Sequence, residues 1–218
     1  MTPPLFTDVT GLAGIALVAS VVVLSIPGLR QRSCLSRLGI FVALMLLWVI
    51  PFRGLPLVAY VRGVTGDLSM ATLVLSCSGA AWRVVGWQPL ARSTRWVTLA
   101  LIATGAMALY PMALGLSSFD PYRLGYGSPW LVGALLLLAL GAWILRFTVV
   151  TAWLTLSILA WTLQWYESTN LWDYLLDPLV SIYALADLVC CGVAALRHRS
   201  RWMVRRILLS PRASGPEV

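Results

Sequence analysis

The stretch PWLVGALLLLALGAWILRFTVVTAWLTLSILAWTLQWY, residues 129 to 166, decides the architecture. It is apolar almost throughout, carries one charge at Arg146, and has no glycine or proline next to that arginine. A helix crosses the hydrocarbon layer of a bilayer in about 20 residues, so the stretch is far too long for one crossing. It reads as two spans, 129–145 and 148–165, joined by a tight turn around Arg146.

The rest of the chain follows the same pattern. Hydrophobic residues make up 60% of the 218 positions and charged residues 11%, and mean hydropathy is +0.85. A soluble domain carries roughly 25% charged residues, so this chain could not cover itself with a water-compatible surface. Backbone polar groups must be satisfied internally in lipid, and the apolar runs lack the alternation of a barrel strand, which leaves helices. Five further spans are expected at 11–27, 38–50, 68–87, 96–116 and 178–196. The expected fold is therefore all-α: a polytopic bundle of seven transmembrane helices over 1–196, followed by a basic tail, 197–218.

Arginine placement orients the bundle. All sixteen basic residues are arginines, and twelve of them follow the first, third, fifth and seventh spans. Six of the eight acids, Asp8, Asp67, Asp120, Glu167, Asp173 and Asp177, fall on the other side. The positive-inside rule then places the amino terminus outside and the carboxyl terminus in the cytoplasm, as for a bacterial inner-membrane protein. The segment 51–67 is half-apolar and is expected to lie in the outer interface or to dip back as a re-entrant loop. The tail from His198 to Arg212 alternates arginines with apolar residues and is expected to rest on anionic lipid.

Several functions are excluded. A chain without lysine cannot form a retinal Schiff base, and a single histidine in the tail cannot supply a bis-histidine haem. Cys34, Cys77, Cys190 and Cys191 show no metal or redox spacing. The arginines are scattered over short loops, unlike a nucleic-acid patch, and no phosphate-binding glycine loop or nucleophile elbow appears. No cofactor and no metal are expected; the partners are the lipid bilayer and, with it, another membrane protein. Gly11/Gly14 and Gly133/Gly141 read as small-residue positions for helix contact.

Two places concentrate polar residues. QWYESTNLWDYLLDP, 164–178, holds three carboxylates. Asp177-Pro178 is a helix-start pair, and Ser168-Thr169-Asn170 can cap a short interfacial helix over 171–176. Asp67 is expected to open the third span and Asp8 to precede the first, each complementing a helix dipole. Trp165, Tyr166, Trp172 and Tyr174 fit an aromatic belt at headgroup level. If the helix ran on to Asp177, Asp173 and Asp177 would share a face and repel. An outer-rim polar site is then expected from Glu167, Asp173 and Asp177 with the outer arginines Arg53, Arg62 and Arg123. Within the spans, Asp187 stands about 13 Å past Pro178 at the helical rise, among Tyr183, Ala184 and the paired cysteines. Intramembrane acids mark functional sites, and Arg83, Tyr110 or another polar side chain is the expected contact; Arg83 can instead snorkel to the cytoplasmic interface.

The residues support a non-catalytic membrane component or accessory subunit, because nearly every polar group has a structural use. Two other classes stay open: a transporter with Asp187 as coupling acid, and an enzyme acting on lipid-linked substrates at the outer face. A transporter needs Asp187 in a water-reachable cavity; an enzyme needs the outer acids and arginines around one cleft.

Overall fold

The computed structural model describes residues 4–209, with side chains given for 8–29 and 31–194. Helix accounts for 77% of the chain. In order, the elements are α1 (Pro4–Leu24), α2 (Pro27–Arg30), α3 (Cys34–Val49), the two-residue strands β1 (Pro51–Phe52) and β2 (Leu55–Pro56), and α4 (Leu57–Thr65). Then come α5 (Met70–Ala80), prolonged by a π turn at Ala81–Val85, and α6 (Arg92–Pro111), prolonged by another at Met112–Leu116. A 3₁₀ turn at Pro121–Gly125 leads to α7 (Pro129–Ile144), α8 (Thr148–Thr162), α9 (Leu171–Leu175) and α10 (Pro178–Leu209).

The run Arg92–Leu116, 25 residues long, is the one helix among the described residues that is long and apolar enough to cross a membrane. Six shorter apolar helices stand where the other apolar stretches were read: Asp8–Leu24, Cys34–Val49, Met70–Val85, Pro129–Ile144, Thr148–Thr162 and Pro178–Ala194. Between α7 and α8 the chain turns as its sequence requires. Arg146 takes a left-handed conformation (φ 63°), and Phe147 N–H donates back to Ala142 O at 2.8 Å. α10 continues unbroken past the boundary expected at 196; the arginine side chains of the expected tail lie outside the described residues.

Segment 51–67, expected in the outer interface or as a re-entrant loop, is a short hairpin followed by a helix. Arg53 (φ 51°) and Gly54 (φ 93°) both have positive φ, the pair a type I′ hairpin demands. They close Phe52 onto Leu55, and α4 follows.

The core centres on α8. Val150, Trp153, Leu154 and Ala160 pack with residues of α5, α6, α7, α9 and α10. A smaller cluster ties α1 to α4 through Ile15, Ala16, Val58 and Leu68. By contrast, α3 buries no residue, and Leu35, Leu46, Trp130 and Leu137 stand exposed on α3 and α7. In water such contiguous apolar surface marks an interface; hydrocarbon would cover it directly. Small residues do not explain these contacts uniformly. Gly14 meets Leu73 closely, whereas a Cβ on Gly133 or Gly141 would meet nothing within 4 Å, so these two are not contact positions between the described helices of this chain.

Candidate functional site: a cleft at the acidic end

Three connecting regions meet beside the start of α1 at one end of the bundle, and hydrogen bonds hold them there. α9 begins at Asn170, which is 1% exposed and accepts from Trp172 N–H at 2.9 Å as N-cap. The Asn170 amide also donates to Tyr122 O at 3.0 Å, and Trp172 Nε1 donates to Pro121 O at 3.0 Å. The 3₁₀ turn is thereby fastened to α9. Gly125 makes the fit possible, because a Cβ there would stand 1.7 Å from Asn170 Oδ1. Asp173 accepts from the Tyr122 hydroxyl at 3.0 Å and from Ser168 at 2.5 Å.

Behind this layer lie two tyrosines expected at a lipid headgroup belt. Tyr174 (0% exposed) and Tyr166 (4%) are instead buried and stacked, with ring centroids 5.1 Å apart. A buried phenol needs a partner, and both have one. Tyr166 donates to Leu68 O at 2.8 Å; Tyr174 donates to Ser168 O at 2.9 Å and accepts from Tyr166 N–H. α8 supports α9 from below through Trp153 Nε1 on Leu175 O and Ser157 on Tyr174 O.

Asp173 and Asp177 do not share a helix face. α9 ends at Leu175, and Leu176 is extended (φ −136°, ψ 142°). Asp177 consequently opens α10, accepting from Val180 N–H at 2.9 Å, as its Asp-Pro pair implies. It is 4% exposed, and its other oxygen takes Ser69 N–H (2.9 Å), Ser69 Oγ (2.7 Å) and Thr72 Oγ1 (2.5 Å). Four donors thus hold a buried carboxylate without an arginine, an arrangement that offsets desolvation by hydrogen bonding to the charged form.

The arginine expected near these acids serves others. Arg62 holds Asp67 with Nε (2.7 Å) and Nη2 (3.2 Å), the forked geometry that makes arginine–carboxylate pairs strong, and reaches Asp8 with Nη1 at 2.6 Å. The hydrogen bond to Asp67, joined by that to Asp8, raises the Arg62 pKa further above its usual range despite burial. Asp67 does not open α5; Ser69 is that N-cap, accepting from Thr72 N–H. Nor does Asp8 precede α1, which begins at Pro4. Gly11 lets α1 approach this pair, since a Cβ there would stand 2.2 Å from Asp67 Oδ1. Glu167, 74% exposed, lies 3.9 Å from Arg62. Arg53 sits over the Phe52 ring (5.8 Å) and Arg123 on the 3₁₀ turn, and neither lines a cleft described here.

The assembled segments enclose a cleft of about 610 Å³. Its carboxylates are Asp67, Glu167, Asp173 and Asp177, and its aromatic walls are Tyr110, Tyr122, Tyr166 and Trp172. A second cleft of about 510 Å³ shares Gly66, Asp67 and Glu167 with it and adds Asp8 and Arg62. The two clefts together are lined by five carboxylates and one guanidinium. Burial, followed by the charge of Asp173, pushes the Tyr122 phenol well above its usual pKa; burial and Asp67 do the same for Tyr166. Both rings remain neutral hydrogen-bonding groups at physiological pH. No group of three metal-ligating side chains occurs among the described residues.

Asp187 lies toward the other end and is held by Arg95, not by Arg83 or Tyr110. Arg95 Nη2 donates to Asp187 Oδ1 at 2.5 Å and to the Tyr183 hydroxyl at 3.1 Å. Arg95 stands in the first turn of α6, and its long side chain lies along α10 to reach them. Arg83 donates to Gly79 O at 3.2 Å and lies over the Trp82 ring. Tyr122, Ser69, Thr72, Gly125 and Arg95 were not legible as site residues: each finds its partner far away in the chain. No protein-family model, no curated protein and no solved structure matches this chain.

Proposed function

We propose that the chain is a seven-span bacterial inner-membrane protein, amino terminus outside, that acts as a non-catalytic recognition component of an envelope process. Its outer cleft holds a positively charged organic group. The observation carrying this reading is the charge imbalance of the two neighbouring clefts: Asp8, Asp67, Glu167, Asp173 and Asp177 against Arg62, with four aromatic rings in the wall of one. Aromatic faces and carboxylates together favour an organic cation. Most of these acids are already engaged by donors, which supports binding over acid–base chemistry. The full chain in lipid nanodiscs, titrated calorimetrically with spermidine and with maltose, tests this. Saturable spermidine binding that weakens with salt and with Glu167→Gln, and no response to maltose, is expected. Absence of spermidine binding, or equal binding of the neutral sugar, overturns the reading.

A second reading has its own observation. Glu167 is exposed and weakly engaged, and it lines the same cleft as Asp173, as an enzyme acting on lipid-linked substrates at the outer face would require. Maltose binding lost in Glu167→Gln would favour it. The transporter reading has least support, because Asp187 is ion-paired with Arg95 and lines neither acidic cleft nor the cleft beside the π turn at Ala81–Val85.

A further inference from the structure

The π turn Ala81–Val85 ends at Gly86 in a left-handed conformation (φ 84°). Such turns insert a residue into a helix and recur at functional sites. Here the turn sets the Arg83 guanidinium 5.1 Å from the Trp82 ring centroid. Gly79 leaves room for it, since a Cβ would stand 2.7 Å from Arg83 Nη1. Beside this turn opens a cleft of about 320 Å³. Leu75, Leu90, Leu99 and Trp82 form apolar walls; Arg83, Arg95, Ser78 and Tyr183 supply the polar lining, and among the described residues no carboxylate lines it.

Arg95 engages Asp187 and Tyr183 through Nη2 alone, so Nε and Nη1 have no partner among the described residues. A third guanidinium is close by: Arg37 of α3 has Nη2 3.8 Å from where a Cβ on Gly86 would stand, and its buried Nε has no hydrogen-bond partner in the described structure. Two arginines from two elements therefore line one cleft, and a third, from α3, stands beside the glycine that ends the π turn.

We propose that this cleft binds the phosphate group of an anionic amphiphile. Guanidinium forks match phosphate oxygens from several directions, and the leucine walls suit the first methylenes of an attached chain. Soluble phosphate shares the headgroup chemistry but would leave those walls uncovered. The proposal is independent of the acidic cleft and its ligand.

The purified full chain in detergent, examined by native mass spectrometry, tests it with phosphatidylglycerol, phosphatidylcholine and inorganic phosphate as probes. Phosphatidylglycerol should be retained in preference to phosphatidylcholine, and inorganic phosphate should not displace it. Arg83→Gln should weaken that retention on the order of tenfold, the loss of one charge-assisted contact, whereas Arg146→Gln, at another turn of the same end, should not. Leu90→Glu, which brings a carboxylate to the cleft from a loop without altering a helix, should reproduce the loss. Equal retention of both lipids, or retention unchanged in both Arg83→Gln and Leu90→Glu, overturns the proposal. Displacement by inorganic phosphate overturns the assignment to an amphiphile.

Discussion

The two ends of the bundle treat charge in opposite ways. At the acidic end, Asp173 and Asp177 are drawn inward and each meets several donors, so Asp177 can stand at 4% exposure with four hydrogen bonds. At the arginine end, the pair of Asp187 and Arg95 keeps 22% and 47% of its side chains exposed, and Arg146 sits on an open turn. The difference teaches that the buried acids hold a shape, while the arginine pair at the other end stays nearer the surface. Short acidic side chains reach neighbouring backbone and hydroxyl donors and lose little rotamer freedom when ordered; arginine keeps its charge in water while its stem covers apolar surface.

The largest expected effect tests the shape-holding role. Asp177→Leu strands the hydroxyls of Ser69 and Thr72 and two backbone N–H groups in a dry site, and should lower stability by about 2–4 kcal/mol. Thermal unfolding of the detergent-purified protein measures it; a loss under about 1 kcal/mol would break the contrast between the ends. Gly125→Ala comes next. Its methyl group would displace Asn170 and loosen the 3₁₀ turn from α9, at about 1–3 kcal/mol, as overpacking does. Faster proteolysis within 112–128 than within 86–91 would localise the damage to the acidic end.

Alkaline pH sharpens the comparison without a mutation. Burial raises the pKa of Tyr122, Tyr166 and Tyr174 in the folded state, for each the leading cause. Their stabilising contribution is fully present below the ordinary tyrosine pKa, about 10, and is lost as pH rises above it, because the unfolded chain releases those protons first. With no lysine in the sequence, few other groups titrate there. Melting temperature should therefore fall above about pH 10, and Tyr166→Phe should flatten that fall. The smallest effect is expected from Asp187→Asn, about 0–1 kcal/mol for a partly exposed pair. A cost matching that of Asp177→Leu would mean that the arginine end is built as tightly as the acidic one.

Part of the site was legible because it is local. Asp177-Pro178 announces a helix start, and Asn170 a cap, within a few residues of the groups they serve; both roles hold. The belt reading of Tyr166 and Tyr174 failed because an aromatic ring with a hydroxyl suits a headgroup layer and a hydrogen-bonded interior equally well. The choice between them rests on Leu68 O and Ser168 O. Asp67 was misread for a similar reason: an acid before a helix complements its dipole, but Arg62, five residues earlier, binds it more strongly through two bonds.

Hydropathy and proline placement were enough to locate the apolar helices and the turn at Arg146, since these depend on sums over neighbouring residues. They could not show that Asp177 would meet Ser69, 108 residues away, or that Thr10 would donate to Trp165 O, 155 residues away. Nor could they show that Gly11 and Gly125 exist to let polar side chains pass. Those contacts depend on which helices pack together and at what depth. Only the folded chain brings five carboxylates and one arginine to two clefts that share a wall.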